Sequence, residues 1–312
     1  MFGYVTRLGA VTAIGLAGAY VAVSVYAALQ FSRAERTPVG RDPAEIADRH
    51  EDVSFAASDG TVLRGWYFPA IAAGTATAGA TTTTTSTGRR AAVLVHGKDS
   101  NRLDSDNLAF VARTLHGAGY AVLAFDLRGH GASGGERFSL GFHERKDVAA
   151  AVDELVARGY PLRSIGLYGE SMGASTVLQV LRLRPGVGAV VADSAYADGP
   201  SIIDEAGPSA TGLPRLFTGG IMVAARLLLG IDADAVDPER VVRDSPERPF
   251  LFIHCEEDGL IRVSHARRLR EASANPETEL WVVPGCGHVG AWEAARAEYA
   301  HRLLAFLEAR LR

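Results

Sequence analysis

The stretch SIGLYGESMG at residues 164–173 decides the fold. It begins as a short apolar strand, passes through a G-x-S-x-G turn centred on Ser171, and leads into a stretch that predicts a helix. In such a turn the chain reverses so sharply that the serine hydroxyl is exposed, and the glycines avoid clashes with the neighbouring strand and helix. The pattern predicts that Ser171 is a nucleophile.

Apolar strands alternate with amphipathic helices on both sides of this turn. Continuous apolar strands of about five residues, separated by helices, are typical of a parallel sheet covered on both faces. Ahead of them, two alternating stretches joined by Asp59-Gly60 predict an antiparallel hairpin, because both residues tolerate positive φ. We therefore predict an α/β fold with a mostly parallel sheet, an antiparallel N-terminal hairpin and helices on both faces. The predicted strands are residues 51–57, 61–68, 91–95, 121–125, 164–168, 189–192, 250–254 and 279–283, and the predicted helices include residues 107–116, 144–158, 172–183, 264–274 and 292–311.

Two segments interrupt this alternation. Residues 196–246 form a connection longer than an ordinary crossover and contain an apolar helix at residues 221–229, so we predict a small helical cap over one end of the sheet. Residues 72–88 carry no charge and five consecutive threonines, and they predict a flexible surface loop. Both belong to one large domain, residues 41–312, which follows a distinct N-terminal segment, residues 1–40.

The N-terminal segment has no charged residue between positions 8 and 32. Roughly 20 apolar helical residues cross a bilayer, so the segment predicts a single-pass membrane anchor. A cleaved signal peptide is the alternative, with small residues around Val25-Tyr26-Ala27, and an apolar helix packed on the protein itself is a third interpretation. Counting nearby Lys and Arg slightly favours a cytoplasmic catalytic part, but the margin is too small to assign the side.

Composition excludes several other classes of protein. The 312 residues are 47% hydrophobic and 22% charged with a net charge of −4, which excludes a disordered chain, a collagen-like repeat and a disulfide-stapled mini-protein. The basic residues are nearly all arginines scattered among acids, so no nucleic-acid partner is predicted. No spaced Cys/His cluster or phosphate-binding glycine loop occurs, so neither a metal nor an organic cofactor is predicted. No feature of the sequence indicates the oligomeric state.

A nucleophilic serine needs a base and an orienting acid, which in this architecture follow it along the chain on loops after strands. His288 follows the last predicted strand among small residues, and we assign it as the general base. Asp258, at the far end of the loop after strand 250–254, is the preferred acid over Glu256 and Glu257. Asp193, at the end of the preceding strand, is a weaker alternative acid.

The oxyanion of the tetrahedral intermediate needs two backbone N–H donors. One comes from the residue after the serine and the other from the loop after the first parallel strand. These are the amides of Met172 and, after the pair His96-Gly97, of Lys98. Removing one such donor costs about 3 kcal/mol of transition-state stabilisation.

These motifs, in this order, resemble the α/β-hydrolase superfamily. Within it, the chain is similar to the serine aminopeptidase and monoacylglycerol lipase-like branch of bacterial hydrolases, including membrane-anchored members. The resemblance covers the sequence from about residue 50 to the C-terminus, and it implies that the loop at residues 126–133 is structural, with Arg128 paired to an acid. The motifs that carry it are His96-Gly97, residues 126–133, the G-x-S-x-G turn, Asp258 and Gly287-His288.

The predicted activity is therefore that of a serine hydrolase acting on a small-molecule acyl substrate. An esterase or lipase near the membrane is the first choice, because an anchor and an apolar cap both favour lipid-like substrates. An aminopeptidase is the alternative, which needs an acid in the cap such as Asp204 or Glu205 to hold the substrate amine. A non-catalytic anchored binding protein is the alternative from another class.

The two cysteines lie on the loops proposed to carry the acid and the base. Cys255 is three residues before Asp258, and Cys286 is two before His288, on loops that leave strands expected to be neighbours. A disulfide between them requires α-carbons within about 7 Å. The alternative is a pair of buried free thiols.

Overall fold

The computed structural model of the protein describes residues 2–71 and 89–311, with side chains described from residue 9 onward. The threonine-rich segment at residues 72–88, which we predict to be a flexible loop, lies outside the described residues.

In the described part of the chain a single sheet confirms the predicted α/β architecture. Its strand order is β1-β2-β4-β3-β5-β6-β7-β8; β2 is antiparallel to β1 and β4, and the remaining pairs are parallel. Within the described residues the eight strands are β1 (Glu51–Ala56), β2 (Val62–Phe68), β3 (Ala91–Val95), β4 (Ala121–Phe125), β5 (Ile165–Glu170), β6 (Ala189–Asp193), β7 (Leu251–Cys255) and β8 (Glu279–Val283).

Ten α-helices occur in the same described part of the chain. They are α1 (Phe2–Phe31), α2 (Asp106–Gly117), α3 (Glu144–Ala157), α4 (Met172–Gln179), α5 (Gly199–Thr211), α6 (Thr218–Leu229), α7 (Pro238–Arg243), α8 (Val263–Ala272), α9 (Ala291–Ala294) and α10 (Arg296–Arg310). The last predicted helix is two helices, because Ala295 leaves the helical region at φ −142°. The predicted helix at residues 172–183 ends as α4, and a 3-10 turn, Val180–Arg182, follows it.

Helices cover both faces of the sheet. Side chains of α2 and α10 share one apolar core with one face, and those of α3, α4 and α7 share a second core with the other. Strands β3, β4, β5 and β6 are buried along their whole length. This burial on two sides is the physical reason that their sequences are continuously apolar rather than alternating.

The long connection between β6 and β7 contains α5, α6 and α7. Asp198 caps α5 by accepting a hydrogen bond from the amide of Ser201, and α6 ends at Gly230 in the left-handed region, φ 64°. Helix α7 packs against α4 and α8 in the layer that covers the sheet, whereas α5 and α6 contact α1.

The described side chains of helix α1 are exposed in its earlier part and packed on the protein in its later part. Residues 9–19 are exposed. From Tyr20 onward the helix contacts α6: the Tyr20 hydroxyl donates to the carbonyl of Leu216, accepts from the amide of Gly220, and its ring stacks on Phe217. Among the described residues, one helix, Gly9–Phe31, is long and apolar enough to span a membrane, and a signal sequence would have the same properties.

Candidate active site

Ser171 lies in a strained turn between β5 and α4. Its backbone takes φ 55°, and its amide donates to the carbonyl of Asp193 on the next strand. A side chain at either flanking glycine would collide with backbone: a Cβ at Gly169 would lie 2.4 Å from the carbonyl oxygen of Gly173, and one at Gly173 would lie 2.3 Å from that of Val95. The close packing of three backbone segments is the reason for the two glycines, and it exposes the serine hydroxyl.

Three side chains from separate loops meet at this turn. The Nε2 atom of His288 is 2.8 Å from the Oγ atom of Ser171, and its Nδ1 atom is 2.8 Å from the Oδ2 atom of Asp258. The loops after β5, β7 and β8 therefore bring together the three residues that the sequence singled out, in the order serine, acid, histidine.

Asp258 is held as a carboxylate. Burial by itself raises its pKa, but the hydrogen bond and charge of His288, together with the amides of Ile261 and Leu260, outweigh burial and lower the pKa below its ordinary value. The neighbouring candidates, Glu256 and Glu257, are exposed on the same loop.

Asp193, the weaker alternative acid, has a different position. It accepts hydrogen bonds from the hydroxyls of Tyr299, at 2.7 Å, and Ser194, at 3.0 Å. Ser194 Oγ in turn accepts from the amide of Val289, the residue after His288, at 3.2 Å. Asp193 and Ser194 thus hold the loop that carries the histidine, a role that the sequence analysis missed because nothing in the local sequence signals it.

The two residues expected to donate the oxyanion amides line the same cavity. Met172 begins α4, and Lys98 lies in the loop after β3, where Gly97 is so near that a Cβ on it would be 3.2 Å from the Ser171 Cβ atom. The Lys98 ammonium pairs with Asp99 and lies 5.0 Å from the centre of the Phe138 ring. That side chain is therefore engaged within the protein rather than free for a substrate.

The loop at residues 126–133 supports the site from behind. Buried Asp126 accepts from the Arg102 side chain at 2.5 Å and from the Ala132 amide at 2.7 Å. Arg128 pairs with Asp147 at 2.6 Å and with Asp59 at 2.9 Å, which agrees with the pairing expected for it. The buried pairs Arg102–Asp126 and Arg128–Asp147 fix the loop, because each of these two carboxylates accepts from several donors.

A cavity of about 680 Å³ opens over Ser171 and His288. Its lining is largely apolar and comes from the sheet loops, from α5 and from the end of α1. The apolar side chains include Phe31, Leu140, Ile202, Ile203, Ala206 and Leu260, and Glu205 is an acid among them. The sequence analysis missed Phe31, which it treated only as part of the membrane segment. Within the described ranges, no group of three His, Cys, Asp or Glu side chains could hold a metal ion.

The two cysteines form a disulfide between the acid and base loops. Cys255 ends β7, Cys286 follows β8, and their α-carbons are 5.3 Å apart. Strands β7 and β8 are parallel neighbours, with Cys255 opposite Val283, so the predicted adjacency is confirmed and the alternative of two free thiols is wrong for this structure. The bridge links the two loops that carry Asp258 and His288.

Removing this bridge is expected to destabilise the protein. The cysteines are separated by 31 residues, and closing a loop of that size in the unfolded chain contributes about 3 to 4 kcal/mol in the chain-entropy treatment. The double variant Cys255→Ala/Cys286→Ala should therefore melt several degrees below the oxidised wild type in differential scanning calorimetry. Wild type unfolded in the presence of a reductant is the matched control, and equal melting temperatures for all three samples would contradict the prediction.

Glu170, the residue before the nucleophile, is buried in a polar network. It accepts hydrogen bonds from Ser105 and from Asn107, at 2.9 Å for the latter. Asn107 also donates to the hydroxyl of Tyr168, which hydrogen-bonds to that of Tyr299 at 2.8 Å. Burial, assisted by nearby Asp193, outweighs these donors and raises the pKa of Glu170 to about 7.

The raised pKa of Glu170 predicts a specific pH dependence of stability. Between the ordinary pKa of 4.5 and about 7, the folded protein keeps a proton that the unfolded chain releases, so the free energy of unfolding falls as the pH rises. Glu170→Gln removes this titration and keeps an acceptor for Asn107. In urea unfolding it should match wild type at pH 5 and exceed it by about 3 kcal/mol at pH 8. Glu257→Gln, at an exposed acid, is the control, and an unchanged pH slope in Glu170→Gln would refute the assignment.

The sheet topology together with a strained serine turn defines an α/β-hydrolase. The sequence matches the family described as serine aminopeptidase, S33, over residues 87–248, and the chain belongs to this family. The uncharacterised protein YqkD of Bacillus subtilis is 31% identical over 222 residues, covering 69% of this chain and 70% of the relative.

Relatives of described activity are more distant. A monoacylglycerol lipase of Mycolicibacterium smegmatis is 27% identical over 239 residues, covering 64% of this chain and 81% of the lipase. The solved structure of the Pyrococcus furiosus esterase Pf2001 is similar with a TM-score of 0.70 and 25% identity, covering 90% of this chain and 98% of the esterase. Family and fold together identify this protein as a hydrolase of the esterase-like class.

Proposed function

We propose that the protein cleaves carboxylic esters through a Ser171–His288–Asp258 triad. His288 takes the proton as Ser171 Oγ attacks the carbonyl carbon, and the amides of Met172 and Lys98 stabilise the oxyanion. The intermediate expels the alcohol, which receives the proton from His288 and leaves an acyl-enzyme. Water, deprotonated by His288, then attacks the acyl carbon; the bond from that carbon to Ser171 Oγ breaks, Oγ receives the proton from His288, and the acid is released. The observation that carries the proposal is the pair of 2.8 Å contacts that links serine, histidine and aspartate.

The shape and lining of the cavity support an apolar acyl chain as the substrate group. Aliphatic and aromatic side chains dominate the wall above Ser171, and burying an acyl chain against them gains about 0.8 kcal/mol per methylene. The esterase and the monoacylglycerol lipase among the similar proteins agree with this substrate class.

Ester hydrolysis and active-site labelling test the proposal together. The full chain in detergent should hydrolyse p-nitrophenyl butyrate and react with a fluorophosphonate, because both need an activated serine. A protein that neither turns over the ester nor reacts with the fluorophosphonate would support the non-catalytic binding function instead.

An aminopeptidase is the second candidate, and Glu205 is the observation that favours it. Its carboxylate lines the catalytic cavity, 3.4 Å from the His265 ring and 3.9 Å from Arg262, whereas Asp204 pairs with Arg215 on the surface. An acid over the nucleophile would attract a substrate ammonium. Faster turnover of aminoacyl p-nitroanilides than of acyl esters, lost in Glu205→Gln, would favour the peptidase.

We further propose that α1 anchors the protein in a membrane; a cleaved signal sequence is the alternative. The Cys255–Cys286 disulfide supports a catalytic domain outside the cytoplasm, because disulfides persist in oxidising compartments. Protease added to intact cells should then digest the domain, and complete protection would contradict this orientation.

A further inference from the structure

Residues 33–41, which follow α1, lie along the loop after β3, and we call them the strap. The sequence alone assigns nearly all of the strap to the N-terminal segment, but its contacts are with the catalytic domain. The guanidinium group of Arg36 donates to three carbonyls of residues 131–135. The Nε atom of Arg41 donates to the carbonyl of Leu103 at 2.7 Å. The strap is therefore fixed to the domain at two points, one on each side of its centre.

Between these two points the strap holds Asp99, the residue after Lys98. The hydroxyl of Thr37 donates to the backbone carbonyl of Asp99 at 2.7 Å, and the amide of Glu35 donates to its Oδ1 atom at 3.0 Å. Within the described ranges, the hydrogen bonds that reach Asp99 from another segment come from these two strap residues. One of them holds the backbone of Asp99 and the other its side chain, so together they fix its orientation.

The loop after β3 also donates hydrogen bonds to the strap. Asn101, which is buried, donates from its side-chain amide to the carbonyl of Pro38 at 3.1 Å. The next residue, Arg102, is fixed from below, since its amide donates to Asp126 at 2.8 Å. The loop is thus held between the strap on one side and the buried carboxylate on the other.

The backbone conformation of Asp99 needs such support. Its φ is 56°, in the left-handed region, which costs a residue other than glycine about 1 kcal/mol or more and persists only where the surroundings enforce it. Lys98 and Asp99 line the cavity over Ser171, and the amide of Lys98 is an expected oxyanion donor. If Asp99 relaxed to a negative φ, the peptide groups before it would turn, and the Lys98 amide would turn with them.

We propose that Thr37 and Glu35 are positioning residues for the oxyanion hole: they keep Asp99 in its left-handed conformation and thereby aim the Lys98 amide at the oxyanion. The inference rests on the proposed function, because it concerns an oxyanion donor of that mechanism. The segment between α1 and the sheet is then a part of the catalytic apparatus rather than a passive linker. A misplacement of about 1 Å can cost about 10²-fold in rate, so a lost tether should lower turnover more than substrate binding.

Three threonine variants of the full chain in detergent test the tether. Thr37→Val keeps the shape of the side chain but removes the hydroxyl donor, whereas Thr37→Ser keeps the donor. We expect kcat for p-nitrophenyl butyrate to fall about tenfold or more in Thr37→Val with KM within twofold of wild type, and to stay within threefold in Thr37→Ser. Thr114→Val is the matched control, because the Thr114 hydroxyl also donates to a carbonyl, that of Phe110 at 2.8 Å, but on α2 away from the cavity. It should change neither parameter.

Inhibition by trifluoromethyl propyl ketone separates positioning from a loss of folded protein. In the adduct, Ser171 Oγ bonds to the carbonyl carbon, the π electrons of the C=O bond move to the ketone oxygen, and the hydroxyl proton goes to His288. The resulting oxyanion needs the same amides as the tetrahedral intermediate, so Ki should rise in Thr37→Val by the factor by which kcat/KM falls. A smaller folded fraction would lower kcat and leave Ki unchanged, because Ki does not depend on the amount of active enzyme.

The two proposals fail in distinguishable ways. If wild type neither hydrolyses the ester nor binds the ketone, the proposed function fails and the positioning role fails with it. If wild type is active, the positioning role alone is overturned by a Ki in Thr37→Val equal to that of wild type. It is also overturned by equal losses in Thr37→Val and Thr37→Ser, because the hydroxyl would then not be the group that matters.

Releasing the strap at its other contact gives a second test. Arg36→Gln removes the ion that binds the carbonyls of residues 131–135 without touching the loop after β3. It should also lower kcat and leave KM unchanged. In the double variant Arg36→Gln/Thr37→Val the loss should be smaller than the product of the two single losses, because both changes release the same strap. Losses that multiply would contradict a common action through the strap.

Discussion

Ser171→Ala is expected to lower kcat for p-nitrophenyl butyrate by about 10⁵-fold and to abolish labelling by a fluorophosphonate. In the proposed mechanism the hydroxyl oxygen of Ser171 forms the acyl-enzyme, and it lies 2.8 Å from the His288 ring nitrogen that would accept its proton. In a catalytic triad the loss of the nucleophile costs nearly as much as the loss of all three members, because the residues act as a unit. Steady-state kinetics and gel fluorescence of the labelled protein measure the two effects.

Ser209→Ala is the matched control for this substitution. Ser209 is an exposed serine of α5 that lines the same cavity, so its hydroxyl is accessible to the probe. It should keep wild-type turnover and wild-type labelling. If Ser171→Ala labels as well as the control, the nucleophile is another residue and the proposed mechanism is wrong.

Asp258→Asn is expected to lower kcat by about 10⁴-fold with little change in the melting temperature. The carboxylate accepts a hydrogen bond from the Nδ1 atom of His288 and thereby keeps Nε2 free to take the serine proton. An asparagine amide can donate to Nδ1 instead, which stabilises the wrong tautomer. The geometry of the loop should be retained, because the side-chain oxygen of asparagine can still accept the hydrogen bonds of the Leu260 and Ile261 amides.

The neighbouring acid provides the control for Asp258. Glu257→Gln removes a carboxylate one residue earlier on the same loop, where the side chain is exposed. Its kcat should stay within twofold of wild type. A large loss of kcat in Glu257→Gln, or a loss below tenfold in Asp258→Asn, would show that Asp258 is not the orienting acid.

Local patterns were sufficient to predict the sheet and the serine turn. Strands such as β3 and β4 are short apolar stretches. Because both of their faces are buried, their sequences must be continuously apolar, and this makes them recognisable. The G-x-S-x-G turn was predictable because its motif is local, although the contact that requires Gly173 is with the backbone of Val95 on a remote strand. The orienting acid was harder to predict. Asp258, its two glutamate neighbours and Asp193 all lie at the ends of strands, and they differ only in the directions of their side chains.

The contacts of α1 and of Glu170 could not be predicted from the sequence. The apolar stretch at residues 8–32 predicts a helix in lipid, and nothing in it indicates that Tyr20 would bond to the turn before α6 or that Phe31 would line the cavity. The sequence analysis assigned no role to Glu170. Its burial and its network follow from packing β5 against α2 and α10, which lie far away along the chain.

The sequence by itself was enough to predict the fold class, the candidate nucleophile and base, and the adjacency of the two cysteine loops. These depend on short-range patterns and on the rule that parallel strands end at one edge of a sheet. Only the tertiary structure decided which acid contacts His288, that the cysteines are bonded, and that α1 packs against the cap and adds Phe31 to the cavity. The physical reason is that side-chain direction and helix pairing depend on distances between remote segments, which residue spacing does not encode.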